Sequence, residues 1–206
     1  MTVRAVAFDI GGVLEVPTDI DLDGRWEQRL GLGRGEFFKR LGQSGLGKDA
    51  NLGRASEAEF ALALGRLYGL DQPTTDELLA DLWDWYVGKL NNEMAEYFQR
   101  LWPRYRTAIL SNAAAGGRRE EDRRYGFAKM ADVLVYSYEV GIEKPDRRIY
   151  EITCERLGVH PGEVVFLDDL EANVAAARQL GMRAVLFQST TQAITDVAAC
   201  RAVSGG

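Results

Sequence analysis

The sequence predicts an α/β fold: a parallel sheet with helices on both faces, interrupted once by an inserted helical segment. Three observations point to it. Short apolar, β-branched runs of strand length recur at Val3 to Phe8, Thr107 to Leu110, Val133 to Tyr136, Val164 to Leu167 and Ala184 to Phe187. Helical patterns at roughly Gly117 to Lys129, Asp146 to Leu157 and Glu171 to Leu180 separate the later runs, as in successive βαβ units. Between about Glu15 and Trp102 the alternation stops and the pattern is mostly helical.

Taken in order, the first run ends at Asp9 and a Gly11-Gly12 pair, a buried strand passing into a tight turn. In the helical block, Ser56 and Glu59 form a capping box ahead of Phe60, Leu64 and Leu67, which share one face at helical spacing. Pro73, Thr74 and Glu77 open a second helix that carries Leu78, Leu79, Leu82, Trp83 and Tyr86. A block inserted there lies as a lid over the carboxyl ends of the strands, where open α/β sheets bind ligands. Trp83, Trp85 and Tyr86 read as core packing, with the lining of a ligand cavity as the alternative. The tail Ser204-Gly205-Gly206 reads as frayed.

Composition narrows the chemistry. His160 is the only histidine in 206 residues, so zinc sites and nucleophiles that depend on several imidazoles are excluded. Two cysteines, Cys154 and Cys200, are too few for a disulfide scaffold. With 25 basic and 31 acidic side chains the net charge is −6, which argues against a general nucleic-acid surface. The run Arg118, Arg119, Arg123 and Arg124 is interrupted by Glu120, Glu121 and Asp122 and reads as a solvated helix face. No apolar stretch approaches the roughly 20 residues of a membrane span, and no signal-peptide pattern precedes the first strand. The expected compartment is the cytoplasm; oligomeric state is not legible.

Polar residues stand at the strand ends: Asp9 after the first, Ser111 and Asn112 after the second, Asp168 and Asp169 after the fourth. Lys144 sits in the GIEKP turn beyond the third. Each has an ordinary reading as a turn, cap or surface residue. Their joint placement favours a site, because buried carboxylates are costly unless paired, hydrogen-bonded or metal-bound. Three together suit a hard cation such as magnesium, and Gly11 and Gly12 leave backbone N–H groups open to an anion.

These segments resemble four motifs of the haloacid dehalogenase superfamily of aspartate-nucleophile hydrolases: AFDIGGVL at 7–14, AILSN at 108–112, GIEKPD at 141–146 and FLDDLEANV at 166–174. The resemblance implies a Rossmann-like core of residues 1–14 and 91–206, with residues 15–90 in the place of the family's small helical cap. It further implies a phosphatase of a small phosphorylated metabolite. Asp9 would be the nucleophile, forming an aspartyl-phosphate. Magnesium would be held by Asp9, the Gly11 carbonyl and Asp169, with Asp168 in support. Ser111 and Asn112 would contact the phosphoryl oxygens, and Lys144 would neutralise charge. Gly11 and Gly12 complete the expected binding loop.

One position departs from the pattern. Most phosphatases of this family carry a second aspartate two residues after the nucleophile, as proton donor and water activator; here Gly11 stands there. Glycine also occurs there in members resembling sugar-1-phosphate phosphatases. That favours substrates with good leaving groups, such as anomeric sugar phosphates. Alternatively another carboxylate substitutes, Glu15, Asp19 and Asp21 being nearest in sequence, although they also read as solvated lid-hinge residues. A catalytically weak phosphate-binding member is a third reading. Halide displacement from a 2-haloacid is a second enzyme class, disfavoured by the Asp168-Asp169 pair. For specificity, Lys48, Asn51 and Arg54 of the lid are candidates, with surface charge as their alternative.

Overall fold

The computed structural model describes residues 1–202, so the tail expected to fray lies outside them. Five strands form one parallel sheet: β1 (Ala5–Phe8), β4 (Arg106–Ser111), β5 (Val133–Tyr136), β6 (Val164–Asp168) and β7 (Arg183–Leu186), in the order β5-β4-β1-β6-β7. From β1 the chain builds outward through β4 to β5, then returns to place β6 and β7 on the other side. The centre of the sheet is therefore a topological switch point.

Alternation along β1 explains the two layers of core. Val6 and Phe8 point to one face, against Met94, Phe98, Ile109 and Leu167. Ala5 and Ala7 point to the other, against Leu110, Ile149, Tyr150 and Phe166. Helices α6 (Asn92–Leu101) and α11 (Thr190–Ala202) supply Met94, Phe98, Ala193 and Val197 to the first face. Helices α9 (Arg147–Leu157) and α10 (Glu171–Leu180) cover the second. The helix expected over Gly117 to Lys129 divides: α7 (Gly117–Tyr125) ends at Gly126, in the left-handed conformation, and a 3-10 turn follows at Phe127–Lys129.

The inserted block contains α1 (Leu22–Leu30), α2 (Glu36–Ser44), α3 (Leu46–Asn51), α4 (Glu57–Tyr68) and α5 (Gln72–Val87). Its own core is built on Leu22, Trp26, Phe37, Leu64, Leu78 and Leu82. The Ser56–Glu59 capping box is present, and Asp71 caps α5. A short antiparallel ribbon, β2 (Glu15–Val16) with β3 (Lys89–Leu90), closes the block at its base. Asn91 secures that base: its backbone N–H donates to Leu14 O at 2.8 Å, and its Nδ2 donates to Val13 O at 3.1 Å and Thr190 Oγ1 at 3.0 Å.

The arginine run on α7 is not simply a solvated face. Arg119 holds Glu57 of α4 at 2.5 Å, and Arg124 holds Asp84 of α5 at 2.6 Å. The basic edge of α7 thus docks the inserted block, while Glu121 turns inward and is 1% exposed.

Candidate active site

Parallel register brings the polar strand ends together. Phe8 lies beside Ile109 on one side and Leu167 on the other, so Asp9 emerges level with Asp168 and one residue short of Ser111. Asp9 N donates to Leu167 O at 2.9 Å, and Asp9 Oδ1 accepts from Ile10 N at 2.8 Å.

Lys144 comes from the loop between a one-turn helix, α8 (Ser137–Val140), and α9, and is the only buried Lys or Arg among the described residues. Its Nζ lies 2.7 Å from Asp9 Oδ1, 2.7 Å from Asp168 Oδ2 and 3.0 Å from Leu110 O, which occupies all three ammonium hydrogens. Asn112 fixes the backbone that carries it: Lys144 N donates to Asn112 Oδ1 at 2.8 Å, and Asn112 Nδ2 donates to Lys144 O at 2.9 Å. The Asn112 amide therefore positions Lys144. Asp168 has no exposed surface and accepts from Lys144, from Asn173 Nδ2 at 2.9 and 3.1 Å, and from Leu170 N at 2.9 Å.

Electrostatics follow from burial. Burial pushes the Asp9 carboxyl up to about 7, with Asp168 adding to the rise and Lys144 opposing it. Burial alone would discharge Lys144, but Asp9 and Asp168 outweigh it and raise its pKa, so it stays charged. Asp169, half-buried, is raised by burial and by Asp168.

The donor set suits a magnesium-sized cation. Asp9, Asp168 and Asp169 each offer a carboxylate oxygen, all within 4.8 Å of one another. These are hard oxygen donors, and the cost of holding Asp9 and Asp169 ionised is one that a cation relieves. Gly12 makes the approach possible. It has φ +74°, and a Cβ there would stand 2.2 Å from Asp169 Oδ2.

A cavity of about 250 Å³ opens beside these groups, lined by Asp9, Gly11, Ser111, Lys144 and Asp169 and also by Glu15, Tyr86 and Glu121. Ser111 is buried at the end of β4. Gly11 faces open space, with no atom within 4 Å of a built Cβ. The sequence-predicted residues Asp9, Ser111, Asn112, Lys144 and Asp169 are thus brought together around one cavity, with Asp168 buried behind them against Lys144.

Other candidates are placed elsewhere. Asp19 has a 98% exposed side chain paired with Lys89, and Asp21 caps α1. Lys48 and Asn51 lie on α3 and Arg54 pairs with Asp49; none of the three lines the cavity. Trp83 donates to Glu57 at 3.0 Å, and Trp85 packs on Phe38. Tyr86 does line the cavity, and its hydroxyl donates to Asn112 O at 3.4 Å. His160 lies in a turn before β6, at the opposite end of the sheet.

Glu121, read from the sequence as part of a solvated helix face, is buried, and Glu15, named as a substitute carboxylate or else a solvated hinge residue, is buried with it. Glu15 is 3% exposed, and burial, reinforced by Glu121 and Asp9, carries it to about 10. Burial carries Glu121 to about 7, Asp9 adding to the rise and Tyr136 opposing it. Among the described residues, Glu15 Oε1 and Glu121 Oε2 are buried without a partner at hydrogen-bond geometry, as is the hydroxyl of Tyr136, which neighbours Glu121. A signal for Glu121 existed: residues 117–124, GRREEDRR, contain no large apolar side chain, so a helix of this sequence packed on a core must bury polar ones.

The family model for haloacid dehalogenase-like hydrolases matches residues 3–181. Bifunctional epoxide hydrolase 2 of Sus scrofa is 29% identical, over 96% of this chain; the chain spans only 38% of that protein's length. D-ribitol-5-phosphate phosphatase of Bacteroides thetaiotaomicron is 27% identical over 87% of this chain and 89% of its own. A HAD family enzyme from the same organism, solved with magnesium and inorganic phosphate, shares the fold: TM-score 0.78, 19% identity, covering 89% of this chain and 93% of its own.

Proposed function

From the premise that the chain belongs to the haloacid dehalogenase-like hydrolases, we propose that it is a magnesium-dependent phosphatase of a small phosphorylated metabolite. The observation that carries this reading is the convergence of Asp9, Lys144 and Asp169 on one cavity beside Ser111, with the Asp168 carboxylate within 4.8 Å of those of Asp9 and Asp169. Relatives named as phosphatases of D-ribitol 5-phosphate and of phosphorylated carbohydrates support a sugar or polyol phosphate as the substrate class.

Asp9 attacks phosphorus and forms an aspartyl-phosphate, which water hydrolyses. Lys144, held at 2.7 Å from Asp9, opposes the rise that burial imposes on the nucleophile's carboxyl and places positive charge beside the transferring group. Asp168 and Asn112 position that lysine, and the Ser111 hydroxyl donates to a phosphoryl oxygen. Magnesium, held by Asp9, the Gly11 carbonyl and Asp169, would offset repulsion between nucleophile and substrate. Residues 15–90 act as a cap over the core formed by 1–14 and 91–206; the separate core of the block and the reach of Glu15 and Tyr86 into the cavity support this. The free cysteines accord with a cytoplasmic setting, and among the described residues no helix is long and apolar enough to cross a membrane. The Asp168–Asp169 pair disfavours a 2-haloacid, because halide displacement needs no metal and an acidic pair without one would repel the substrate carboxylate.

The test is phosphate release from 4-nitrophenyl phosphate and from a panel of sugar and polyol phosphates, with magnesium or EDTA. Asp9→Asn is expected to lower turnover by about 10⁴-fold, and EDTA to abolish it. Activity indifferent to both changes would sink the phosphatase mechanism; chloride release from 2-chloropropionate would replace it.

A further inference from the structure

Expelling an alkoxide from phosphorus without protonating it is slow, so a phosphatase acting on alkyl monoesters needs a proton donor facing the leaving oxygen. Most of the polar lining is already engaged. Lys144 has its three hydrogens on Asp9, Asp168 and Leu110, and Asn173 is bonded to Asp168. The Tyr86 hydroxyl donates to Asn112 O, the Asn112 amide is bonded to the Lys144 backbone, the Ser111 hydroxyl is assigned to a phosphoryl oxygen, and Asp9 and Asp169 belong to the nucleophile and cation set. Glu15 and Glu121 remain, each buried in the cavity wall with an oxygen lacking a partner among the described residues.

Resting on the phosphatase reading above, we propose that Glu121 is the general acid and base of the reaction, placed in the cavity by α7. As the carboxylate of Asp9 bonds to phosphorus, the bond to the leaving oxygen breaks and that oxygen takes the Glu121 proton. The resulting Glu121 carboxylate then removes a proton from water, whose oxygen attacks phosphorus. The bond from phosphorus to Asp9 breaks, releasing inorganic phosphate and restoring the Asp9 carboxylate and the Glu121 acid.

Three features favour Glu121. It is 1% exposed, and its Oε2 is buried without a hydrogen-bond partner among the described residues. It lines the same cavity as Asp9 and Ser111, as Glu15 does. Burial carries its carboxyl to about 7, near the value at which an acid and its conjugate base both serve. Protonated, it does not repel a phosphate dianion. Alkyl phosphates therefore fall within the substrate class, despite the glycine at position 11.

The experiment compares single-turnover release of the leaving alcohol from 4-nitrophenyl phosphate and from glycerol 3-phosphate, in the native chain, Glu121→Gln, Glu121→Asp and Glu15→Gln. For Glu121→Gln the rate on the alkyl ester should fall about 10²–10⁴-fold further than the rate on the aryl ester, because nitrophenolate leaves without a proton. Aspartyl-phosphate should also accumulate, for want of the base. Glu121→Asp should show the same selective loss, partly restored. Equal loss on both esters, no loss on either, or the selective loss appearing in Glu15→Gln would each overturn the assignment while leaving the phosphatase reading intact. A native chain inactive on both esters would overturn that reading, and this one with it.

Discussion

Four carboxyl groups around one small cavity are raised above the ordinary carboxylate range: Asp9 and Glu121 to about 7, Glu15 to about 10, and Asp169 with them. The common cause is burial, and the consequence for stability has a definite sign. Glu121 binds its proton more tightly folded than unfolded, where its value is 4.5. Its contribution is therefore complete below about 4.5 and is lost as pH rises through about 7. In EDTA, the native chain should lose on the order of 2–3 kcal/mol more stability than Glu121→Gln between pH 4.5 and pH 8, because the amide mimics the neutral acid throughout. Urea unfolding of both proteins at the two pH values checks this; parallel losses would show that Glu121 is ionised in the fold.

At the scale of the element, the ribbon of β2 and β3 is the part on which the placement of Glu15 depends, and Asn91 is its anchor. One side chain joins the turn after β1, the start of α6 and the start of α11. Asn91→Ala removes a helix cap and leaves part-buried acceptors unpaired, so it should cost about 1–3 kcal/mol in urea unfolding. The same elements show what could be read from the chain. Strands such as Val164–Asp168, buried on both faces, announce themselves by unbroken apolar runs, and the Ser56 capping box is a local signal. The four strand-end motifs therefore located Asp9, Ser111, Lys144, Asp168 and Asp169. A ribbon of two residues per strand has no periodicity to detect. The orientation of α7 was also hidden. Its arginines pair with Glu57 and Asp84, residues remote in sequence, and only that docking turns Glu121 inward.

For the whole molecule, a net charge of −6 surrounds a site proposed to receive a phosphate dianion. The long-range field opposes approach, and attraction begins only within the cavity, where Lys144 is held. Screening therefore helps: raising monovalent salt from 10 to 100 mM at fixed magnesium should increase kcat/KM for a phosphate monoester about twofold and leave kcat unchanged. A fall in kcat/KM over that range would mean that the field at the cavity mouth is already positive. The ribbon bears on this scale too, because the inserted block leaves the core and rejoins it at two paired strands. Recombination that exchanged residues 17–88 for another helical block would sever the chain at neighbouring points and leave the sheet undisturbed. Asp9, Glu15, Glu121 and Lys144 would stay behind, and Tyr86 would depart with the replaced piece. A lineage could thus inherit its reaction unchanged while acquiring a new roof, and with it a new choice of the molecule that carries the phosphate.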